Sequence, residues 1–554
     1  MKIMIVKLLL IMCLSAGADH EALFKSFSYA GTDTMYEKDL DRSSQYINPI
    51  LTGFFPDPSI CRKGDDYFLV TSTFSYYPGV PIFHSKDLVN WTQLGFVLNR
   101  PSQLRLDGIR LSGGVYAPAI SYNPHNDTFY MVNTIVDGIG NFYVKTKDPF
   151  SGEWSEPVTL PAVHGIDPSF LFDEDGKAYV VYNGDCPGTP QWDGHRAIWC
   201  YEFDWENDCV KGENTLLVDG GVNPADKPVW IEGPHVYNVD GKYYLMCAEG
   251  GTGPWHSEVI FTSDSPMGPY VPHKNNPILT QRTLPENRTD KITSTGHADL
   301  IQTSQGDWWA VFLGCRPYEG NFYNTGRETF LLPVEWQDGA PVILPESEQV
   351  PLVVAKSELG EDMSDGHRGN FSWTDDFSTL DHKWLQVRTP IDEWWRLDGG
   401  LRLKTVDRSL NENGANPAFM AVRQQHMTCQ AETVMEFMPE ADELAGLAVF
   451  QNEQNNYVLG KQIADGVPSV VLYRADKEEG RTVVACEPLS ASQNKKPVRF
   501  RVIADGPDYI FEFAVGNSRK WTQMGGIQNG RNLSTDYAGG FTGAVIGCYA
   551  TSVR

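Results

Sequence analysis

The sequence predicts an all-β protein in which a five-bladed β-propeller is followed by a β-sandwich. Three observations predict this fold class. A two-strand pattern recurs five times between residues 46 and 346, short alternating strands without that repeat fill the chain from residue 371, and no amphipathic helical segments separate the strands of the repeat. With 554 residues the chain exceeds one ordinary hydrophobic core, so several domains are expected.

Each copy of the repeat is a short apolar strand, a polar turn and a second strand rich in aromatic and β-branched residues. The copies start at intervals of 60, 50, 66 and 65 residues and read DPSICRKGDDYFLVTS from Asp57, APAISYNPHNDTFYMVN from Ala117, DPSFLFDEDGKAYVVYN from Asp167, GPHVYNVDGKYYLMCAE from Gly233 and ADLIQTSQGDWWAVFLG from Ala298. Each interval holds about one four-stranded sheet. Such sheets bury a core only by packing face to face around an axis, so residues 46–346 are predicted to form the propeller.

The last third of the chain shows a different pattern. Residues 347–370 hold few alternating runs and several polar or glycine positions, which predicts a linker wrapped over the surface. From residue 371 to 554, segments such as GLRLKT, SVVLYR and VRFRVIADG alternate with period two between turn signals. This pattern predicts a β-sandwich of about 180 residues.

The first eighteen residues have the layout of a cleaved signal peptide. Lys2 and Lys7 come first, followed by an apolar run and then by small residues that end at Ala16-Gly17-Ala18. We therefore predict a secreted or periplasmic protein, with residues 19–45 as an N-terminal lead segment. A lipid anchor at Cys13 is less favoured because Met12 stands where such a site needs a small residue. The nine other cysteines form no CxxC pair, so zinc is not predicted, and their disulfide pairing stays open.

Composition excludes some partners. The chain has 45 basic and 71 acidic residues and a formal charge of −26, which argues against nucleic acid because its binding needs a basic face. No segment after the leader is apolar enough to span a bilayer. Nothing in the sequence predicts an oligomeric state.

Residues at the heads of the five repeats are predicted to converge, because the first strand of each propeller blade lines the central channel. These residues are Asp57, Tyr116 with Ala117, Asp167, Glu232 and His297. Three of them carry carboxyl groups, whose mutual repulsion raises at least one pKa and lets an acid and a base coexist at one pH.

These carboxyl groups allow three interpretations. Asp-Pro and Glu-Gly start turns, which explains any one of them alone but poorly explains three at equivalent repeat positions. A calcium or transition-metal site is a second interpretation, although aromatic residues surround the positions and no D-x-D-x-D spacing occurs. Glycoside hydrolysis needs a carboxylic acid, a second carboxylate and an aromatic surface for the sugar, and the sequence offers all three.

Seven ordered motifs resemble glycoside hydrolase family 43, specifically its β-xylosidase and α-L-arabinofuranosidase branch. They are NPILTGFFPDPSICR, YYPGVPIFHSKDLVNW, SGGVYAPAISY, GIDPSF, WIEGPHVY, AEGGTG and GRETFLLPVEW. The resemblance implies a five-bladed propeller, hydrolysis with inversion of configuration, and a pocket for a single terminal pentose.

The resemblance also implies a role for each acid. Asp57 is similar to the family's general base, which deprotonates the attacking water. Glu232 matches the general acid, and Asp167 matches the third acid, which raises the pKa of Glu232 and orients it. Arg327 resembles an arginine that contacts sugar hydroxyls, since its planar fork of donors suits adjacent hydroxyls.

Further residues fall at pocket-lining positions of the family. Phe74, Thr252 and His297 are three of them, and for His297 a channel calcium or a packed core role remain alternatives to a sugar contact. The sequence departs from the family at Tyr116, where xylosidases often have tryptophan, and at Ile166, where many have an aromatic residue. Both changes lie on the sugar-facing wall and leave the choice between xylose and arabinofuranose open.

The C-terminal sandwich resembles a domain attached to many family members, whose lectin-like jelly-roll sheets look like those of legume lectins. In related enzymes a loop from this domain reaches the mouth of the propeller and closes the pocket, which is the role favoured here. Independent polysaccharide binding and plain packing are the alternatives. No cofactor is expected, and a structural calcium in the sandwich is left open.

We conclude from the sequence that the protein is an exo-acting, inverting glycoside hydrolase. It is expected to release terminal β-D-xylose or α-L-arabinofuranose from hemicellulose-derived xylo- or arabino-oligosaccharides. Retaining fructosidases are disfavoured because their Asn-Asp-Pro-Asn-Gly start is absent. An endo-arabinanase, with an open groove, and a non-catalytic carbohydrate-binding propeller remain the alternatives.

Overall fold

A computed structural model describes residues 20–357, 359–360 and 366–552. The predicted signal peptide, residues 1–18 with Cys13, lies outside these described residues. The described chain is all-β, and its only α-helices are single turns at Ala491–Asn494 and Thr535–Ala538. The predicted five-bladed propeller and C-terminal sandwich are both confirmed. No helix in the described part of the chain is long and apolar enough to cross a membrane.

Two strands precede the propeller, and neither belongs to a blade. They are β1 (Glu21–Gly31) and β2 (Gln45–Ile47), and a short 3-10 turn at Thr34–Tyr36 lies between them. Strand β1 pairs with strands of the C-terminal sandwich, between residues 372 and 436. Strand β2 pairs with a strand that follows the last blade.

The blades follow one another along the chain. Blade I holds β3 (Ser59–Lys63), β4 (Asp66–Val70), β6 (Gly79–Ser85) and β7 (Thr92–Leu98). The short strand β5 (Tyr76–Tyr77) lies in the connection between β4 and β6 and pairs with a strand of the sandwich. Blade II holds β8 (Gly114–Val115), β9 (Ala119–Asn123), β10 (Thr128–Val136), β11 (Gly140–Thr146) and β12 (Val158–Thr159); blade III holds β13 (Ile166–Phe172), β14 (Ala178–Asp185), β15 (Arg196–Asp204) and β16 (Cys209–Asp219). Blade IV holds β17 (Glu232–Val239), β18 (Lys242–Glu249), β19 (Ser257–Ser263), β20 (Val271–Pro272) and β21 (Leu279–Thr280); blade V holds β22 (Thr293–Gln302), β23 (Trp308–Cys315), β24 (Glu328–Gln337) and β25 (Ala340–Val342). Short 3-10 turns occur at Pro149–Ser151 and Pro224–Asp226.

Neighbouring blades pack through apolar side chains that each strand presents at every second position. Between blades I and II, for example, the rings of Phe68 and Phe129 meet edge to face with centroids 5.1 Å apart. The ring closes where blade V meets blade I, because the Asp299 carboxylate accepts hydrogen bonds from Ser59 Oγ (2.7 Å) and the Ile60 amide (2.9 Å). The five inner strands therefore surround one axis.

The sandwich begins after β26 (Val353–Ala355), the partner of β2. Its strands are β27 (Ser372–Asp375), β28 (Leu385–Val387), β29 (Trp395–Leu397), β30 (Leu401–Lys404), β31 (Ala418–Arg423), β32 (Thr428–Glu436), β33 (Glu443–Asn452), β34 (Asn455–Ala464), β35 (Val467–Asp476), β36 (Gly480–Pro488), β37 (Val498–Asp505), β38 (Asp508–Val515), β39 (Thr522–Asn529) and β40 (Val545–Ser552). A 3-10 turn at Gly530–Leu533 precedes the second α-helical turn.

Two eight-stranded antiparallel sheets form the sandwich. The first has the order β29-β30-β1-β32-β37-β38-β39, with β27 also paired to β1, and the second has the order β36-β35-β34-β33-β40-β31-β28-β5. Their inner faces enclose one apolar core that includes Phe24, Trp394, Leu447 and Phe511. Each sheet also holds one strand from outside residues 371–554, since β1 comes from the N-terminus and β5 from the connection between β4 and β6.

The structure corrects the description of residues 19–45 as a lead segment. Strand β1 is an interior strand of the first sandwich sheet, paired with β30 on one side and β32 on the other. The stretch EALFKSFSYAG buries Phe24 and Phe27 completely, which is why it belongs to a core. The predicted linker at 347–370 also contains a paired strand, β26, in its described part.

Buried arginines make polar contacts at the junction of the propeller and the sandwich. Arg316 of blade V, 1% exposed, binds Glu328 through two nitrogens (2.5 and 2.9 Å) and Asp33 through a third contact (2.8 Å). Arg423 of the sandwich donates to the carbonyl of Phe54 over 2.6 Å. Because a buried charge left without its partner is costly, these contacts stabilise the docking of the two domains.

Candidate active site

One pocket at the mouth of the propeller axis collects all nine site residues predicted from the sequence. It encloses about 340 Å³ of free space, part of it open to solvent, and is lined by Asp57, Phe74, Tyr116, Ala117, Ile166, Asp167, Glu232, Thr252, His297, Arg327 and Phe541. Two further residues line the pocket. Ala117 was predicted at the head of a repeat, whereas Phe541 was not predicted at all. The nine predicted residues, which are separated by up to 270 positions in the sequence, thus share one small space.

The backbone at the blade heads turns side chains into the pocket. Asp57, Asp167 and His297 have φ values of 53°, 54° and 50°, in the left-handed region that non-glycine residues rarely adopt. The inner strands of blades III and V are also bulged at these positions. Such local strain and such bulges concentrate at functional sites because they re-aim individual side chains.

Asp57 is a buried, ionised carboxylate. Arg327 Nη1 donates to Oδ1 over 2.6 Å and Nη2 to Oδ2 over 3.3 Å, while Ser72 Oγ donates to Oδ2 over 2.6 Å. Burial alone would raise the pKa of Asp57, but the charge of Arg327, with smaller contributions from His297 and the Ser72 hydroxyl, holds that pKa below its ordinary value. Asp57 can therefore accept a proton at neutral pH.

Glu232 and Asp167 form a pair with the opposite property. Burial and the neighbouring charge of Asp57 raise the pKa of Glu232 to about 7. Burial and repulsion from Glu232 raise the pKa of Asp167 well above its ordinary value, although the Gly233 amide donates to its Oδ2 over 3.2 Å. The two groups titrate together, so the pair retains a proton into the neutral range.

His297 lies beside Asp57 in its neutral form. Its Nδ1 is 3.9 Å from Asp57 Oδ1, and burial lowers its pKa to about 4. The ring also packs tightly on Gly233, where a Cβ atom would stand 2.9 Å from His297 Nε2. A side chain at position 233 would displace His297, so glycine there preserves the pocket.

Aromatic rings form the wall of the pocket. Phe74 and Tyr116 meet edge to face at 5.3 Å, and Tyr116 is held by Arg110, whose Nη2 donates to its hydroxyl over 3.1 Å. The Arg327 guanidinium lies 5.6 Å from the centre of the Phe74 ring. Ile166, half-buried at the head of β13, completes the apolar side.

Phe541 comes from the sandwich and closes the pocket. Its ring stacks on Phe74 at 5.7 Å and lies 5.7 Å from the Arg327 guanidinium, and its amide donates to Ser112 Oγ over 3.0 Å. A loop of this domain that closes the pocket is expected from the family resemblance, but the sequence does not indicate which residue closes it. The signal that could have found it is an aromatic residue set among glycines in GGFTG, just before the last strand.

Thr252 completes the site on the acid's side. Its hydroxyl donates to Glu232 Oε1 over 3.5 Å, a long contact that slightly lowers the pKa of the acid. Within residues 20–357, 359–360 and 366–552, no group of three or more His, Cys, Asp or Glu residues is arranged to hold a metal ion. The arrangement instead offers a proton acceptor and a proton donor across one small pocket, which suits acid–base hydrolysis.

Comparison with known proteins agrees with this chemistry. Residues 46–341 match the model of glycosyl hydrolases family 43, and residues 374–554 match that of the beta xylosidase C-terminal concanavalin A-like domain. A xylosidase/arabinosidase of Butyrivibrio fibrisolvens is 35% identical over 91% of this chain and 95% of its own. A non-reducing end alpha-L-arabinofuranosidase of Bacteroides ovatus is 37% identical over 91% of each chain. The crystal structure of a GH43_12 protein from a capybara gut metagenome superposes with a TM-score of 0.89 and 42% identity, covering 96% of this chain and 99% of that one.

Proposed function

The chain belongs to glycosyl hydrolase family 43 and is a glycoside hydrolase, and on this basis we propose that it is an exo-acting, inverting enzyme that releases terminal β-D-xylose or α-L-arabinofuranose. The observation that carries the proposal is the contrast between two carboxyl groups of one pocket. Arg327 keeps the pKa of Asp57 low, whereas burial keeps that of Glu232 at about 7. One group is ready to accept a proton while the other is ready to donate one.

The proposed step uses both groups at once. Asp57 takes a proton from a water molecule as the water oxygen bonds to the anomeric carbon. Glu232 gives its proton to the glycosidic oxygen as the bond from that oxygen to the anomeric carbon breaks. The new bond forms on the face opposite the leaving group, so the product has inverted configuration. Asp167 and Glu232 titrate as a pair that retains a proton into the neutral range. No metal cofactor is proposed, because Asp57 and Glu232 supply both proton transfers.

The shape of the pocket supports attack at chain ends. Phe541 and the rings of Phe74 and Tyr116 close one side of the space above the carboxyl groups. An endo-acting enzyme needs a groove that lets a polysaccharide pass on both sides of the cleaved bond. A pocket that is blocked on one side favours a single terminal sugar, supplied by hemicellulose-derived oligosaccharides. We further propose a secreted or periplasmic location, where such fragments are found, on the basis of the leader sequence.

Two measurements test the proposal. Rates on nitrophenyl β-D-xyloside and nitrophenyl α-L-arabinofuranoside, measured side by side, identify the pentose, and turnover of neither would refute the proposed substrate class. Proton NMR of the first-formed sugar identifies the anomer. Inversion is the expected result, and a product with retained configuration would refute the roles given to Asp57 and Glu232.

A further inference from the structure

The part of β22 that carries His297 to the pocket is irregular, and we call residues 294–298 the bulged segment. Two shifts in the pairing with β23 leave Ser294, Thr295, His297 and Ala298 without a partner residue in that strand. Ser294 and His297 also have φ values of 60° and 50°. Buried backbone groups need hydrogen-bond partners, and a strained backbone persists only where its surroundings hold it. The bulged segment therefore has to be held by groups outside its own sheet.

Two side chains of blade IV supply those groups. Glu258 Oε2 accepts a hydrogen bond from the Ala298 amide over 3.1 Å, and His256 Nδ1 donates to the Ser294 carbonyl over 3.0 Å. The two side chains are 0% and 1% exposed. Because residues two apart in an extended chain point to the same face, both reach the bulged segment together, one at each end. We call this pair of side chains the clamp.

The clamp and its target are closely packed. A Cβ atom at Gly296 would stand 2.8 Å from His256 Cε1, so the histidine ring lies directly on the bulged segment. On the other side, the His297 ring packs on Gly233. Since neither ring has free space beside it, a change in the clamp is expected to move His297.

Both clamp residues are uncharged at neutral pH. Burial lowers the pKa of His256 to about 4, and burial, with smaller contributions from the charges of Asp299 and Glu232, raises the pKa of Glu258 well above its ordinary value. A neutral carboxylic acid accepts hydrogen bonds through its carbonyl oxygen, as the amide of glutamine does. Glutamine at position 258 should therefore keep the bond to Ala298, whereas leucine removes it.

The clamp lies outside the catalytic pocket. Neither His256 nor Glu258 is among the residues that line it. Glu258 and Glu232 belong to one row of blade IV, with Ala248 of the middle strand between them. An effect of the clamp on hydrolysis must therefore pass through a residue that does line the pocket.

We propose that His256 and Glu258 are positioning residues for the hydrolysis, which act by fixing His297 beside Asp57, with Nδ1 3.9 Å from Oδ1. The inference rests on the proposed function and adds two residues of blade IV to it. On this account the place of His297 depends on a neighbouring blade as well as on its own strand.

Four variants test the clamp. Glu258→Gln keeps the acceptor for Ala298 and Glu258→Leu removes it, while His256→Phe keeps a ring but removes the donor. Asn48→Leu is the matched control, because Asn48 is also buried and also binds backbone of blade V, through two hydrogen bonds to Leu331 (2.9 and 3.0 Å), but does not line the pocket. Each variant is made alone and in a His297→Ala background, and kcat/KM on an aryl pentoside is measured across pH.

The readouts are the acid limb of the pH profile and the coupling to His297. Glu258→Leu and His256→Phe should each lower kcat/KM about tenfold, the loss typical of one buried hydrogen bond. Because His297 helps to lower the pKa of Asp57, both variants should also move the acid limb to higher pH, by about half a unit. Glu258→Gln should stay within about twofold of wild type, and in the His297→Ala background each clamp variant should cost less than about twofold more.

Several results would overturn the clamp. They are losses that multiply fully with that of His297→Ala, an acid limb that stays in place in both Glu258→Leu and His256→Phe, and equal losses in the glutamine and leucine variants. Asn48→Leu should lower the melting temperature without moving the acid limb, and an equal shift in this control would show that general destabilisation causes the effect. Wild-type protein that cleaves no pentoside would overturn the proposed function instead.

Discussion

Replacing Arg327 with methionine is expected to move the whole pH–rate profile toward alkaline pH. The guanidinium contacts both oxygens of Asp57 (2.6 and 3.3 Å), and the two side chains are 7% and 5% exposed. An adjacent arginine lowers a carboxyl pKa by about 1–3 units. Its loss should raise the pKa of Asp57 by about that amount, equivalent to roughly 1.4–4 kcal/mol. Arg327 also lowers the pKa of Glu232, so that pKa should rise as well.

The direction follows from the protonation state that each group needs. Asp57 must be ionised to accept the proton of water, so activity falls as pH drops through its pKa. Glu232 must be protonated to donate, so activity falls as pH rises through its pKa of about 7. Raising both pKa values moves both limbs of the profile in the same direction.

The assay is kcat/KM on an aryl pentoside between about pH 3 and pH 9. Ser72→Ala is the companion variant, because the Ser72 hydroxyl donates to Asp57 Oδ2 over 2.6 Å and is not among the groups that shift Glu232. Ser72→Ala should raise only the pKa of Asp57, which sets the acid limb of the profile. The expected rise is about 0.5–1 unit, the equivalent of one hydrogen bond. A profile of Arg327→Met that is lower in height but unmoved on the pH axis would refute this account, because it would mean that Arg327 only packs or binds sugar.

Three further predictions concern single side chains. Glu232→Gln should lower kcat by about 10²–10⁴-fold on pentosides with poor leaving groups and much less on those with activated leaving groups, and equal losses on both would contradict its role as acid. Phe541→Ala should lower kcat/KM by about ten- to a hundredfold, mainly through KM, because it removes an aromatic wall worth about 1.5–3 kcal/mol. Phe150→Ala is the control, because it removes a ring that is 53% exposed and lies away from the pocket, and it should leave kcat/KM unchanged. Arg316→Met should cost about 3–5 kcal/mol and lower the melting temperature, because it leaves Asp33 and Glu328 buried and unpaired. The exposed pair of Arg531 and Glu319 supplies the comparison, since Arg531→Met should cost about 1 kcal/mol or less, and similar losses in calorimetry for both arginines would contradict the argument.

The repeat made the propeller and much of its pocket predictable from the sequence. In a propeller the head of each blade faces the axis, so Asp57, Asp167 and Glu232 could be placed together once the period was found. The motifs around Phe74, Thr252 and Arg327 added residues that the repeat alone does not mark. These features are local in sequence, or they recur at a fixed interval, and either property can be read without coordinates.

Contacts between distant segments were not predictable in the same way. The strand at Glu21–Gly31 shows alternation, which indicates a strand but does not say which sheet receives it. Its partners lie more than 340 residues away, at Ser372–Asp375, Leu401–Lys404 and Thr428–Glu436. The position of Phe541 in the pocket was not predictable for a similar reason. It depends on how the two domains dock and not on a sequence pattern near position 541.

The position of Glu21–Gly31 makes the propeller an insertion within the sandwich. About 340 residues separate Gly31 from its first partner strand at Ser372, so at usual translation rates this strand waits on the order of 20 to 70 s for a place in a sheet. The blades between them can assemble during that interval, and the sandwich then joins the two ends of the chain around a finished propeller. A fragment that begins at residue 371 would therefore lack an interior strand of its first sheet, so the sandwich cannot be exchanged between enzymes as one continuous piece.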